Sequence, residues 1–359
     1  MRPLIKMLRG LQMKISRLFS VFQSGLFFCL MFPVLSDSVE AQELFRCETS
    51  TRQVHYQDQP CGDGLKEQAV QLDESIVSEQ DLPGSRGNGW LWRAENARRV
   101  VYLTGSIHFG TEDMYPLPTS VMNAFNLSQV LMVEADVRQS GTPEKIQELL
   151  MRGVLSDGTT LQERLESETW KKLQVTLLEL NIPETVVLGQ KIWLAALTLG
   201  SIGANEAGLD SRLGVDRHFL ELATESTMSV IELEGLSDQI EMLDSMPSAV
   251  QTVLLEQVLD GVRDGGAKYH AIRDAWKSGQ VDILEKLVAQ EFSHESKAER
   301  LTELLLAKRN RAMAQTIDEQ STDIGNYFVV VGAAHLVGED SLPLMLAERG
   351  FYVEQMGAR

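Results

Sequence analysis

The sequence predicts an α/β fold, with α+β the alternative, from three observations. Compact runs of β-forming residues recur at WLWRAENARRVVYLTGS (90–106), VLMVEADV (130–137), SVIELEG (229–235) and NYFVVVGAAHL (326–336). Between them lie stretches with apolar positions at helical spacing, almost continuous from 238 to 318. A chain of 359 residues that is 43% hydrophobic can also bury one large core and still carry a small appendage.

The first stretch stands apart from that core. Arg2, Lys6, Arg9, Lys14 and Arg17 precede an apolar run from Leu18 to Leu35, and SDSVEAQ follows. Basic flank, apolar run and a small residue at the cut, after Ala41, describe a secretory signal over residues 1–41, with Met13 as an alternative start. The competing reading is an uncleaved anchor over 18–35, which Gln23, Ser24 and Pro33 weaken as a span. Residues 1–41 carry five basic and two acidic side chains, so their removal moves the net charge from −18 to −21. Such a charge repels nucleic acid and anionic lipid, which excludes both as partners, apart from membrane contact through an uncleaved signal.

Cys29 lies within the signal, leaving Cys47 and Cys61, an even pair that in an exported chain reads as one disulfide. LFRCETSTRQVHYQDQPC (44–61) alternates like two short strands, and so small a hairpin needs a Cys47–Cys61 staple. Its Arg-Cys, Val-x-Tyr and Pro-Cys pattern resembles a small domain of unknown function at the N-terminus of many bacterial envelope proteins. The module spans 42–71. LDESIVSEQDLPGSRGNG (72–89) is a polar linker, and 90–359 is the main domain.

Within that domain, 90–106 predicts two strands around a turn at Glu95–Ala97, and VLMVEADV a buried strand. Helices follow at PEKIQELLMRGVL and at TLQERLESETWKKLQVTLLEL, which stops near Asn181-Ile182-Pro183. QKIWLAALTLG is apolar all round but half the length of a membrane span, hence a core helix. LDSRLGVDRHFLELATES is helical and SVIELEG a strand. SAVQTVLLEQVLDGV and ERLTELLLAKRNRAMAQTI are amphipathic. NYFVVVGAAHL predicts a strand, SLPLMLAERG a helix capped by Gly350, and FYVEQM a last strand.

Two of these strands end alike: VYLTGSIH and VVVGAAH each close on Gly-x-x-His, at His108 and His335. Either copy alone reads as an ordinary, partly buried histidine beside a glycine that lets the chain turn. The pair suggests two imidazoles converging from strand-end loops on a divalent transition metal. Glu134, ending LMVE, supplies the carboxylate such a site needs, with Asp136 in reserve, or is a solvated strand-end acid. Arg309 and Asn310 sit in AKRNRAMA, where Arg309 binds a developing oxyanion or carries ordinary helix-surface charge. His55, His270 and His294 stand alone, and His218 lies off the face of Asp216. The sequence has no G-x-S-x-G elbow, phosphate loop, dinucleotide fingerprint or H-E-x-x-H.

GSIHFGTEDMYPLP, the Glu of VEAD, LGVD (213–216), IELEGLSDQ (231–239), KRNRAMA and VVVGAAHLVGEDSLPLMLAERGFYVEQM occur in one order. Together, over about residues 90 to 356, they resemble the TraB/GumN family, which includes the Tiki proteins that cleave Wnt. The resemblance implies a central mixed sheet wrapped by helices, as in erythromycin-esterase-like and ChaN-like proteins. It also implies a metal-dependent hydrolase, a peptidase in the Tiki branch, using manganese or cobalt, with zinc as a further candidate. By motif it carries over metal ligands His108, Glu134 and His335, and catalytic Glu134, Arg309 and Asn310. Gly105 and Gly332 would shape the loops, and Asp216 and Glu234 would support the ligands. Ala333-Ala334 and Thr49-Ser50-Thr51 depart from the usual pattern without removing a ligand. The expected protein is thus an exported, periplasmic metallohydrolase acting on a peptide or protein. The alternatives are a non-catalytic envelope binding protein for haem, metal or peptide, or a structural envelope partner.

Overall fold

The computed structural model describes residues 90–356, apart from 292–295 and 322–324, and the backbone of three short strands before them. The expected signal, the linker, His294 and Cys61, and with Cys61 the expected bridge, lie outside the described residues. The chain divides into two compact units. The smaller holds β1 (Phe45–Glu48), β2 (Val54–Gln57) and β3 (Lys66–Ala69). β1 pairs antiparallel with β2 along one edge and with β3 along the other.

The larger unit is built on six strands: β4 (Leu91–Glu95), β5 (Arg99–Ser106), β6 (Val130–Val133), β7 (Ser229–Glu232), β8 (Gly325–Gly332) and β9 (Tyr352–Gln355). Their order is β7-β6-β8-β5-β4-β9. The first four run parallel, while β4 is antiparallel to both β5 and β9, so the sheet is mixed as expected. Parallel strands buried on both faces need continuous apolar runs, and Phe328, Val329, Val330 and Val331 are all at most 1% exposed.

Helices surround this sheet: α1 (Thr119–Asn126), α2 (Pro143–Gly153), α3 (Leu161–Arg164), α4 (Ser167–Glu179), α5 (Ile192–Glu206), α6 (Val215–Glu225) and α7 (Leu236–Ser245). After these come α8 (Ser248–Arg263), α9 (Ala267–Lys277), α10 (Val281–Glu291), α11 (Ser296–Thr302), α12 (Lys308–Gln320) and α13 (Leu342–Glu348). The main core packs Phe125 of α1, Phe219 of α6 and Phe328 of β8 with ring centroids 4.9–5.5 Å apart. Each such pair adds about 0.5–1.5 kcal/mol beyond its area burial. A second core, with Trp170, Leu173, Leu199 and Leu255, joins α4, α5 and α8, and a third holds Trp193, Leu194 and Leu243. α5 therefore feeds two cores at once, which is why its sequence is apolar on every face. Among the described residues, no helix is long and apolar enough to cross a membrane.

The structure shortens several predicted elements. The 160–180 pattern becomes α3 and α4, parted by extended Leu165 and Glu166. The Thr160–Glu163 capping box starts α3, and Leu165 turns out of the helix to pack on the second core. The 209–226 helix begins only at Val215, after a 3₁₀ turn, Ser211–Leu213. The strand of NYFVVVGAAHL stops at Gly332, and His335 rides on the 3₁₀ turn Ala333–Leu336.

Candidate functional site at the carboxyl end of the parallel strands

Register gathers the candidates at one sheet edge. Gly105 pairs with Val331 and Ser106 with Gly332 across β5 and β8, and Val133 pairs with both Val330 and Glu232. The four parallel strands thus end side by side, and His108, Glu134, Glu234 and His335 follow within three residues of those ends. Carboxyl ends of parallel strands are where α/β folds hold reactive groups.

His108 leaves β5 in a loop clamped to the start of α6. Gly110 and Asp210 exchange backbone hydrogen bonds of 3.0 and 2.9 Å, and the Val215 N–H donates to the Ile107 carbonyl. That docking brings Asp216, on the first turn of α6, to the ring: His108 Nδ1 lies 2.6 Å from Asp216 Oδ2. A carboxylate accepts, so Nδ1 carries the proton and Nε2 is turned away from Asp216. The Asp216 charge raises the imidazole to about 9, although the ring is 56% exposed and solvent screens part of the attraction. His218 packs at a tilt against Tyr115 instead, with ring centroids 4.8 Å apart.

Glu134 follows β6, and the ladder continues past the strand ends: the Glu234 N–H donates to the Glu134 carbonyl at 3.0 Å. The two carboxylates, 10% and 11% exposed, share Arg309, which is 14% exposed. Arg309 Nε donates to both Glu234 oxygens at 3.0 Å, and Nη2 donates to Glu234 Oε2 at 2.8 Å and to Glu134 Oε1. Gln239 on α7 adds Nε2 to Glu134 Oε1 at 3.2 Å. The Gly332 N–H donates to Glu134 Oε2 at 2.8 Å. Burial pushes the Glu134 carboxyl up, but the charges of His335, Arg309 and His108 outweigh it and hold the group well below its usual range. An Arg–carboxylate fork this buried is structural in effect, since removing one partner of a buried ion pair costs about 3–5 kcal/mol.

The helix carrying Arg309 contains a π turn, Glu303–Ala307, in which the Lys308 N–H reaches back to the Glu303 carbonyl. Arg309 Nη1 donates to the Leu305 carbonyl of that turn at 3.2 Å. The wider turn re-phases the helix, so that consecutive residues serve two partners, Arg309 the acids and Asn310 the second histidine. Asn310, 1% exposed, donates Nδ2 to the Asp340 and His335 carbonyls at 2.7 and 3.3 Å. Its Oδ1 is thereby left facing His335 Nδ1 at 2.6 Å. An amide oxygen only accepts, so this histidine too is protonated at Nδ1. His335 Nε2 lies 3.7 Å from Glu134 Oε1.

The two glycines of the repeated motif serve close approach. A Cβ on Gly332 would stand 3.3 Å from Glu134 Oε2, crowding the carboxylate that its N–H binds. One on Gly105 would meet Trp90 at 2.9 Å and Ala333 at 3.0 Å.

A cavity of about 20 Å³ opens between Ser106, His108, Glu134, Asp216 and Gln239. Beside it lies a cleft of about 500 Å³, which shares His108, Val137 and Asp216 and is walled by Leu149, Leu194, Leu197 and Leu254. As they stand, no three His, Cys, Asp or Glu side chains among the described residues form a metal-holding group.

Residues 90–355 match the TraB/PrgY/gumN family. The chain belongs to that family. Its relatives include "Uncharacterized protein YbaP" of Escherichia coli K12, 31% identical over 265 residues that cover 73% of this chain and 94% of YbaP. The protein of the same name from Shigella flexneri is similar to the same degree. No solved structure matches the chain.

In this TraB/PrgY/gumN chain the structure brings His108, Glu134, His335, Arg309, Asn310, Asp216, Glu234, Gly105 and Gly332 to one sheet edge. Asp136 is not held in reserve: its carboxylate is engaged by Arg138 Nε and Nη2 at 2.8 and 2.7 Å. Arg309 is committed to two carboxylates instead of facing an oxyanion site. Gln239, bound to Glu134, and Ser106, on the wall of the small cavity, join the site without a signal in the sequence. Both stand inside the IELEGLSDQ and GSIH segments, but neither residue type announces a ligand role by itself.

Proposed function

We propose that the protein is a metal-dependent hydrolase, and among hydrolases a peptidase, with Mn, Co or Zn as the resident ion. The observation that carries this reading is the matched anchoring of two histidines. Each commits Nδ1–H to a protein oxygen, Asp216 or Asn310, and so keeps Nε2 for another partner. Metal-binding histidines are held in this way by a carboxylate or carbonyl behind them. By donor type the site fits a divalent transition ion: His108 and His335 would hold it through Nε2, with Glu134 either the third ligand, in exchange for one of its Oε1 contacts, or the base beside the ion. Such an ion supplies Lewis acidity and a hydroxide source near neutral pH. Asp216 orients His108 and raises its affinity for any cation. Arg309 and Gln239 hold Glu134 ionised and aimed at the small cavity, ready to take a proton from water. The apolar cleft beside His108 seats the substrate and limits water around it.

The test is metal analysis of the purified full chain, followed by cleavage of a quenched fluorescent peptide library with and without chelator. One bound ion, lost in His108→Ala and His335→Ala together with cleavage, is the expected result. Unchanged metal affinity in both variants would sink the site. A second reading, a non-catalytic peptide-binding protein, is favoured by the tight engagement of Glu134 with Arg309. Peptide binding without turnover in any metal would select it.

A further inference from the structure

Ser106 is the last residue of β5 and is 2% exposed, yet its Oγ has no hydrogen-bond partner among the described residues. A buried hydroxyl without a partner is destabilising, so such groups are rare unless something else fills the need. Ser106 also lines the cavity of about 20 Å³ shared with His108, Glu134 and Gln239. A space of that size holds a water and excludes an amino-acid side chain, and among its lining residues Ser106, His108, Glu134, Asp216 and Gln239 offer the polar partners a buried water requires. Register brings the hydroxyl toward the carboxylate: Ser106 pairs with Gly332, whose N–H binds Glu134 Oε2 and which places no side chain between them.

We propose that Ser106 is a catalytic residue that binds the attacking water of this site, accepting one water O–H so that the other faces Glu134. The catalytic part rests on the hydrolase reading above, while the binding of a water does not. In the reaction the water oxygen forms the new bond to the scissile carbonyl carbon as the carbon–nitrogen bond breaks. One water proton passes through Glu134 to the leaving nitrogen, giving a carboxylic acid and an amine. The Ser106 hydroxyl is neither consumed nor acylated.

Two measurements on the full chain test this. A high-resolution crystal structure is expected to show an ordered oxygen within hydrogen-bond distance of Ser106 Oγ and on the Glu134 side of it. A dry cavity overturns the proposal. On a peptide cleaved by the wild type, Ser106→Ala is expected to lower kcat about tenfold or more with KM nearly unchanged, and Ser106→Thr, which keeps the hydroxyl, to recover most of it. Circular dichroism melting checks that both variants fold. Wild-type cleavage with an unaffected Ser106→Ala kcat overturns this proposal and leaves the hydrolase reading standing. A wild-type chain that cleaves nothing overturns both the hydrolase reading and the catalytic role.

Discussion

The chemistry of each histidine is set by one partner. Asp216 raises His108 from 6.5 to about 9. The sign follows from linkage: a pKa raised on folding contributes stability that is fully present below about pH 6.5 and is lost as pH rises through about 9. Glu134, held low, works the other way: its contribution is present above the ordinary carboxylate range and is lost on acidification. An NMR titration of His108 is expected to give a midpoint near 9 in the wild type and near the ordinary imidazole value in Asp216→Asn. A midpoint that the substitution leaves in place would refute the pairing. Since proton and metal compete for Nε2, metal uptake near neutral pH is also expected to release a proton. His108 and His335 were legible in the sequence because histidine is scarce, six in the chain, and their strand-end positions repeat, and Glu134 because it closes an apolar run. The anchoring geometry was not, because Asp216 lies 108 residues from His108, and Asn310 lies 25 residues from His335.

Elements turn those residues toward one another. The two Gly-x-x-His segments look equivalent in sequence, yet one histidine sits in an exposed loop clamped to α6 and the other on a buried 3₁₀ turn. The π turn before α12 decides that Arg309 and Asn310 both face the site, and no residue pattern in ELLLA announces it. α5 was legible as a core helix from its apolar composition. That its partly exposed face walls the cleft beside His108 depends on where α8 packs. Ser201 lines that cleft and is only partly buried, so Ser201→Trp fills space without breaking a core. For a cleaved peptide, Ser201→Trp is expected to raise KM about tenfold with kcat within about twofold, the mark of lost ground-state binding. An unchanged KM would show that substrate does not enter the cleft.

At the scale of the whole molecule, a net charge of −18 repels the phosphates of nucleic acid and says nothing specific about a substrate. Export remains a proposal that rests on the basic-then-apolar stretch before Ala41. Intact mass of the protein expressed with secretion enabled is expected to correspond to a chain beginning at Gln42, and a mass that retains residues 1–41 would refute cleavage there. By itself the sequence determined the α/β class, the order of the main elements, the family and the residues worth testing. These follow from local periodicity and from rare side chains at motif spacing, both of which are written along the chain. Only the tertiary structure decided that four strand ends align, that Arg309 ties Glu134 to Glu234, and that Asp136 turns away to Arg138. The same holds for Ser106, whose hydroxyl has no partner among the described residues and which lines one cavity with Glu134. Such facts depend on sheet register and helix phase, which long-range packing sets and no local stretch of sequence contains.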